Sequence, residues 1–294
     1  MRRVLVLGGS GALGHKVYQV LAPTFDTYAT VRRFDEKLRE TGLFDPRRVI
    51  EGVDAFEFGS VRKAIDQLKP DVIVNCVGII KQLEEARNAK TAIYINSLFP
   101  HLVAEHAWAA GAKLVHISTD CVFSGRRGDY VETDTPDPED LYGKTKHLGE
   151  VDYGGHLTLR TSFVGRELFS RVSLIEWFLS QQGKTVRGYV NAIYTGLTSL
   201  ALAREIGRCI LEFPQLTGLY HLSSEKISKY RLLNLVKAAY GVNIDIEPYS
   251  EFRCDRSLDS GRYRRETGFV PPSWEDMVSE MARDRTPYEK WRAI

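Results

Sequence analysis

Arg3-Val4-Leu5-Val6-Leu7-Gly8-Gly9-Ser10-Gly11-Ala12-Leu13-Gly14 is the stretch that decides the fold. After the arginine comes a short unbroken run of valine and leucine, as expected of a parallel strand buried on both faces. Gly8, Gly11 and Gly14 follow at intervals of three, and Gly9-x-Gly11-x-x-Gly14 also satisfies the dinucleotide fingerprint. Beyond them His15 to Leu21 is amphipathic and Pro23 ends it, which predicts a helix. A glycine turn between strand and helix lets the backbone approach a pyrophosphate and seats that anion on the helix N-terminus. Gly8, Ser10, Gly11, Ala12, Leu13 and Gly14 are therefore expected to bind a dinucleotide.

The same rhythm continues downstream. Thr27 to Val31 reads as a second strand that ends in Arg32-Arg33. An acid at such a place binds the adenosine ribose, whereas arginine accommodates a 2′-phosphate, so NADP(H) is preferred as cofactor. Asp35 keeps NAD(H) open. Phe34 to Arg48 is a charged insertion with room for helical turns. Asp54 and Ala55 follow a third strand, and Asp54 is read either as an acceptor for the adenine amino group or as a capping carboxylate. Ser60 to Leu68 is a short helix, Asp71 to Gly78 a buried strand, and Ala89 to Ala110 a long helix rich in alanine. Alternating strands and helices predict an α/β fold, a Rossmann-type doubly wound parallel sheet with a smaller C-terminal lobe. Ligands bind beyond the carboxyl ends of such strands, which places Cys76, Val77, Gly78 and Ser118 on the cofactor rim with the glycines. Asn96, on the long helix, joins them. Lys81, just past the fourth strand, is a candidate substrate contact.

A fifth strand, Lys113 to Ile117, runs into Ser118-Thr119-Asp120-Cys121-Val122. After a loop rich in Asp and Pro comes Leu141-Tyr142-Gly143-Lys144-Thr145-Lys146. Tyr142 and Lys146 stand four apart, so in a helix both side chains leave one face. With a hydroxyl at the strand's end they form a proton-transfer device. An ammonium near the phenol favours the phenolate and lowers its pKa, while Thr119 hydrogen-bonds the oxygen that exchanges the proton. Tyr-x-x-x-Lys alone is also the pattern of many solvated helices.

Taken in order, the glycine motif, Asn-Cys-Val-Gly after the fourth strand, Ser-Thr-Asp-Cys-Val-Phe-Ser-Gly after the fifth and Tyr-Gly-Lys-Thr-Lys-x-x-Gly-Glu resemble the extended short-chain dehydrogenase/reductases. Within these the chain looks most like the dTDP-4-dehydrorhamnose reductase family. Leu159 to Gly165, Thr217 to Ser224 and Leu258 to Trp274 extend the likeness almost to the C-terminus. The resemblance implies that Tyr142 protonates the C4 carbonyl oxygen of a nucleotide-linked sugar as hydride arrives from the nicotinamide. It implies that Lys146 holds the nicotinamide ribose and depresses the tyrosine pKa, that Thr119 orients the carbonyl, and that Thr161, Ser162 and Phe163 line the cofactor. Cys121 and Val122 would face the sugar, and Asp120 would either contact it or brace the loop. Cys121 departs from the family, which often has tyrosine there, and so leaves the sugar's identity open.

The βα rhythm weakens after Gly165. Leu174 to Leu179 is an apolar helical patch, Leu197 to Leu211 a strongly amphipathic helix, and Ile227 to Tyr240 and Ser273 to Asp284 are two further helices, the first closed by Gly241. The expected division is residues 1–165 for the dinucleotide domain, with 197–215 returning to it, and 166–196 with 216–294 for a nucleotide-sugar lobe. Arg166, Asn191, Tyr194, Arg253 and Arg262 are its candidate substrate contacts, since arginine pairs with phosphate oxygens in a planar fork. The cluster Arg253, Arg256, Arg262, Arg264, Arg265 is the feature that points to an anionic ligand. Arg283 to Ile294 reads as a charged, frayed end.

Composition bounds the rest. The 294 residues are 43% hydrophobic and 27% charged with net charge +2, too balanced for a nucleic-acid or membrane surface. The four cysteines are scattered, with no Cys-x-x-Cys pair, so neither a disulfide framework nor a metal site is expected. A strand starting at Arg3 predicts no signal peptide, and no apolar run nears the ~18 residues that span a bilayer. The expectation is a cytoplasmic nucleotide-sugar reductase in deoxysugar or surface-polysaccharide synthesis, with a homodimer and a monomer equally compatible. An epimerase retaining its cofactor and a non-catalytic NADP-binding subunit of the same fold are the alternatives. Dehydration is disfavoured, because Asp120 has no second acid after it.

Overall fold

The structure, a computed structural model, describes residues 1–80 and 88–292. Its centre is a seven-stranded, all-parallel sheet built from β1 (Arg3–Leu7), β2 (Asp26–Val31), β3 (Val49–Glu51), β4 (Val72–Asn75), β5 (Lys113–Thr119), β6 (Leu157–Thr161) and β10 (Gly218–His221). The spatial order is β10-β6-β5-β4-β1-β2-β3, with the chain reversing direction across the sheet between β1 and β4. That reversal is the topological switch point at which a doubly wound sheet binds its ligand. The chain is thus a Rossmann-type α/β protein, as its alternating pattern predicts.

Helices cover both faces. On one side α3 (Phe58–Leu68) and α5 (Phe99–Ala109) lie over Leu5, Leu7, Ile73 and Leu114. On the other, α1 (Gly14–Leu21) and α8 (Ser199–Glu212) pack against each other and over Val4, Val6, Val115 and Leu159. Alternate strand residues serve opposite layers because successive side chains leave a strand on opposite faces. The expected insertion holds α2 (Glu36–Glu40), capped by the Asp35 carboxylate, and a single 3-10 turn at Pro46–Arg48. The long helix expected from Ala89 to Ala110 is divided. α4 (Ala89–Ala92) passes through a π-helical turn, Ile93–Leu98, before α5.

The second unit is richer in strand than the sequence pattern predicts. β8 (Thr185–Tyr194) lies between β11 (Ile227–Ser228) and β12 (Asp245–Asp255) in a three-stranded sheet, and β7 (Phe163–Val164) pairs with β9 (Leu197–Thr198). α9 (Lys229–Tyr240) and α11 (Trp274–Arg283) pack together beside β8. α6 (Leu141–Leu148), α7 (Leu174–Leu179), α10 (Gly261–Thr267) and α12 (Tyr288–Arg292) complete the chain. Gly218–His221 was expected in the lobe, but it pairs with β6 as the edge of the large sheet. β12 escaped notice because its inward and outward positions are mostly exposed, so no period-2 apolar signal marks it. The expected fraying does not extend through the described residues of this segment: Tyr288 and Trp291 are buried against Tyr18, Phe34 and Leu168. Among the described residues, no helix is long and apolar enough to cross a membrane.

Candidate active site

The glycine turn forms as its sequence requires. Gly8 adopts φ +78°, in the left-handed region that favours glycine, and a Cβ on Gly14 would collide with the Gly8 carbonyl oxygen. Gly9 donates its N–H to Thr30 at 2.8 Å, which ties the turn to β2. The backbone N–H groups of Ser10, Ala12 and Leu13 meet no acceptor among the described residues, at the exposed mouth of α1. Such unpaired donors at a helix N-terminus fit a pyrophosphate. Arg32 and Arg33 lie exposed beyond β2 with no ion pair among the described residues, and Asp35 is occupied in capping α2. The Asp54 carboxylate accepts from the Phe56 N–H at 3.0 Å in the turn after β3, short of Glu57 at the N-cap position of α3, with Ala55 half-buried beside it.

At the tip of β4, Asn75 Oδ1 accepts the Val77 N–H at 3.0 Å and shapes the Cys76-Val77-Gly78 loop. Asn96 serves the same loop. Its side-chain amide accepts from the Ile79 N–H at 2.9 Å and donates to the Ile79 carbonyl at 3.0 Å, like one rung of a strand pair. The π turn carries Asn96 into this place, where its side chain contacts the loop and the Thr145 hydroxyl. Lys81 lies outside the described residues.

Thr119 ends β5, and its hydroxyl accepts the Cys121 N–H at 3.2 Å while donating to Asp120 at 3.2 Å. α6 starts where Asp140 accepts the Gly143 N–H at 2.7 Å. Gly143 and Gly149 let this helix lie close: a Cβ on either would strike the backbone of Cys121 or of Asn96. Tyr142 and Lys146 share the inward face. The Thr119 hydroxyl is a hydrogen-bonding neighbour of the Tyr142 phenol. Burial raises the phenol above its ordinary value, Cys121 and the acids Asp120 and Asp140 raise it further, and the Thr119 hydrogen bond works the other way. Lys146 donates from Nζ to the Ile117 carbonyl at 2.7 Å. Burial pushes its ammonium down to about 8, against the opposing pull of Glu150 and Cys76. The expected depression of the tyrosine by the lysine is therefore corrected: Lys146 is directed at β5, and burial governs the phenol.

Ser118 is also corrected. Its side chain leaves β5 on the face opposite Thr119 and donates to Glu150 at 2.7 Å. Glu150 further accepts the Arg160 fork at 2.7 and 2.8 Å and pairs with His147 at 2.9 Å. Burial opposes ionisation of this carboxyl, but Arg160, His147 and Ser118 outweigh it and hold the group at about 2. The result is a buried strut joining α6 to β5 and β6.

The substrate side divides the candidates. Asp120 is buried, and burial raises its carboxyl against the influence of Arg256, Cys121, Thr119 and Lys229. Tyr194 stands beside Asp120 and Cys121; its buried hydroxyl lies near Ser162 without hydrogen-bond geometry and has no partner among the described residues. Thr161 is buried at the end of β6, with Ser162 and Phe163 half-buried after it. Val122 has no exposed surface and packs with Phe123, Tyr130 and Leu258, so its side chain is core. Arg166 is engaged by Glu176 and Glu289. Asn191 donates to the Ser250 carbonyl at 2.8 Å and pairs in register with the exposed Arg253 on the small sheet. Arg262 pairs with Glu266, one turn on, and lies over Tyr220 at the outer edge of the large sheet. The arginine that does reach the site is Arg256: Nε donates to the Phe123 carbonyl at 2.8 Å and Nη1 stands 3.6 Å from the Cys121 sulfur. Only its membership of the basic cluster marked it in the sequence.

A cavity of about 160 Å³ lies at the opposite, amino-terminal edge of the sheet, between Arg2, Lys113 and Cys209, away from these groups. Among the described residues, no group of His, Cys, Asp and Glu is placed to hold a metal ion.

A switch-point sheet, a glycine turn and a Thr-Tyr-Lys constellation beside it define an extended short-chain dehydrogenase/reductase. Within that class the chain belongs to the family described as RmlD substrate binding domain, whose profile matches residues 1–286. It is similar to dTDP-4-dehydrorhamnose reductase of Salmonella typhimurium, 31% identical over 74% of this chain and 71% of that protein. It is also similar to methionine adenosyltransferase 2 subunit beta of Danio rerio, 28% identical over 82% of this chain and 75% of that protein. In fold it resembles the crystal structure of dTDP-4-dehydrorhamnose reductase from Bacillus anthracis in complex with NADP. The TM-score there is 0.77 with 24% identity, over 96% of this chain and 98% of the other. The family thus includes dTDP-4-dehydrorhamnose reductases, and a structural neighbour of that name is in complex with NADP.

Proposed function

We propose that the protein is an NADPH-dependent reductase of the 4-keto group of a nucleotide-linked sugar, a dTDP-linked 6-deoxy-4-ketohexose by analogy with its reductase relatives. Deoxysugar and surface-polysaccharide synthesis in the cytoplasm is the setting that fits, with the thiols kept reduced there. The observation that carries the reading is the placement of Tyr142 beside Thr119, with Lys146 one helical turn on and the phenol raised above its ordinary value. NADPH, when bound, supplies hydride to the carbonyl carbon. The protein's part is the proton: Tyr142 gives it to the C4 oxygen, and the Thr119 hydroxyl holds that oxygen in line. A half-buried phenol with a raised pKa stays protonated, which suits reduction, a reaction that needs an acid at this place from the start. The free N–H groups of the glycine turn support the pyrophosphate, and the unpaired Arg32 and Arg33 favour a 2′-phosphate over a bare ribose. Arg256 adds positive charge beside the sugar position.

The test is NADPH oxidation, followed at 340 nm, with dTDP-4-keto-6-deoxyglucose and with NADH in parallel. Substrate-dependent loss of NADPH is expected, and Tyr142→Phe should lower kcat by about 10²- to 10⁴-fold while leaving NADPH binding in place. The methionine adenosyltransferase subunit among the relatives favours one second reading, a non-catalytic NADP-binding subunit. Under that reading NADPH binds, no nucleotide sugar is reduced, and Tyr142→Phe changes nothing. Cofactor binding with sugar interconversion but no net oxidation would instead mark an epimerase.

A further inference from the structure

The family profile ends at residue 286, and the turn that follows it folds back onto the cofactor end of the molecule. His15, in the first turn of α1, has Nδ1 2.8 Å from the Gly11 carbonyl oxygen and Nε2 3.0 Å from the Tyr288 hydroxyl. A carbonyl only accepts, so Nδ1 carries the proton and Nε2 accepts from Tyr288. Burial pushes this imidazole down to about 4, which keeps it neutral and in that tautomer. Lys16 adds a second tie, donating to Asp284 at 2.5 Å. A third comes from Arg166, which reaches Glu289 while its guanidinium lies 4.9 Å over the Tyr288 ring. Trp291 closes the contact, buried in a cluster with Phe34 after β2 and Leu168 after β7.

The turn thus touches the glycine motif, the insertion beyond Arg32-Arg33 and the loop beyond Ser162-Phe163, which together flank the expected path of a dinucleotide. Its effect on the glycine motif is geometric. The Gly11 carbonyl and the Ala12 N–H belong to one planar peptide and point in opposite directions. Fixing that carbonyl toward His15 therefore fixes the Ala12 N–H toward the mouth of the turn, where it has no acceptor among the described residues.

We propose that the C-terminal turn Thr286–Trp291 is a clasp that sets the glycine motif for its dinucleotide, with Tyr288 a positioning residue acting through His15 on the Gly11 peptide. The inference rests on the reading that this motif binds a nicotinamide dinucleotide. Tyr288→Phe removes the hydroxyl and keeps the ring that packs against Trp291. It should weaken NADPH binding, measured by fluorescence titration, about three- to tenfold, the range for loss of one hydrogen bond. Any effect on turnover should fall on KM for NADPH and leave kcat unchanged. Because coupling is reciprocal, NADPH should slow hydrogen exchange at the amides of residues 286–292 in the natural protein by a similar factor. A Tyr288→Phe protein that melts at a lower temperature but binds NADPH as the natural protein does would make the turn a purely structural brace and overturn the proposal. If that variant fails to fold, exchange in the natural protein decides, and rates unaffected by NADPH overturn it. Absence of NADPH and NADH binding by the natural protein would sink the dinucleotide reading itself, and the clasp with it.

Discussion

Lys146 shows how little a motif says about the state of its residues. Tyr-x-x-x-Lys places two side chains on one helical face, and α6 does so. What spacing does not contain is burial, and burial lowers the lysine to about 8 while raising the tyrosine. On the proposed function, the ammonium is the form that holds the ribose of the cofactor. Binding stabilises that charged form and so raises its pKa in the complex. NADPH affinity should accordingly be flat below pH 8 and fall as pH rises through it, by up to about tenfold per pH unit. Titrations from pH 7 to 9.5 would check this, and Lys146→Met should bind weakly with no such slope. The same limit explains the arginines. Sequence showed five in a cluster, but only folding shows that Arg262 is taken by Glu266 while Arg256 stands over Cys121.

Among elements, α6 is the one on which the site depends, and its placement is set from behind by the Ser118–Glu150–Arg160 strut. The strut was invisible in the sequence, because Ser118 and Glu150 are 32 residues apart and nothing local couples them. A Glu150 carboxyl held at about 2, against an ordinary 4.5, contributes about 3 kcal/mol of stability. Its folded pKa is depressed, so this contribution is present above pH 4.5 and is lost as pH falls toward about 2. Glu150→Gln should therefore lose about 3 kcal/mol in urea unfolding at pH 7 and show a shallower decline in acid. The elements legible in the sequence were those with strong local signals: β1, the glycine turn, β5, α8 and α9 lie within a residue or two of their expected bounds. The three-stranded sheet was not legible, because β12 is mostly exposed and its partner β8 lies far away in the chain.

At the scale of the molecule the two units share one core. A single buried cluster runs from Val4 and Val115 in the large sheet through Leu202 of α8 to Leu232 and Trp274 beside the small one. The expected division into two lobes therefore describes where ligands would sit more than how the chain is held together. Calorimetry should show one unfolding transition rather than two. NADPH at a hundredfold excess over its Kd should add about 2.7 kcal/mol and move that transition up by about 4 °C.

The π turn at Ile93–Leu98 gives the helix two phases. Before it the helix lies beside α6, and after it α5 turns Phe99, Val103 and Ala107 onto the sheet. One surplus residue absorbs the roughly 100° between those two settings. Shortening the segment by a residue would restore an ordinary helix and force a choice, since either Asn96 swings away from Ile79 or the sheet-facing side rotates out of the core. Length, more than side-chain identity, is what this segment has to keep, and a natural variant with a gap here would be expected to have rebuilt the loop after β4 as well.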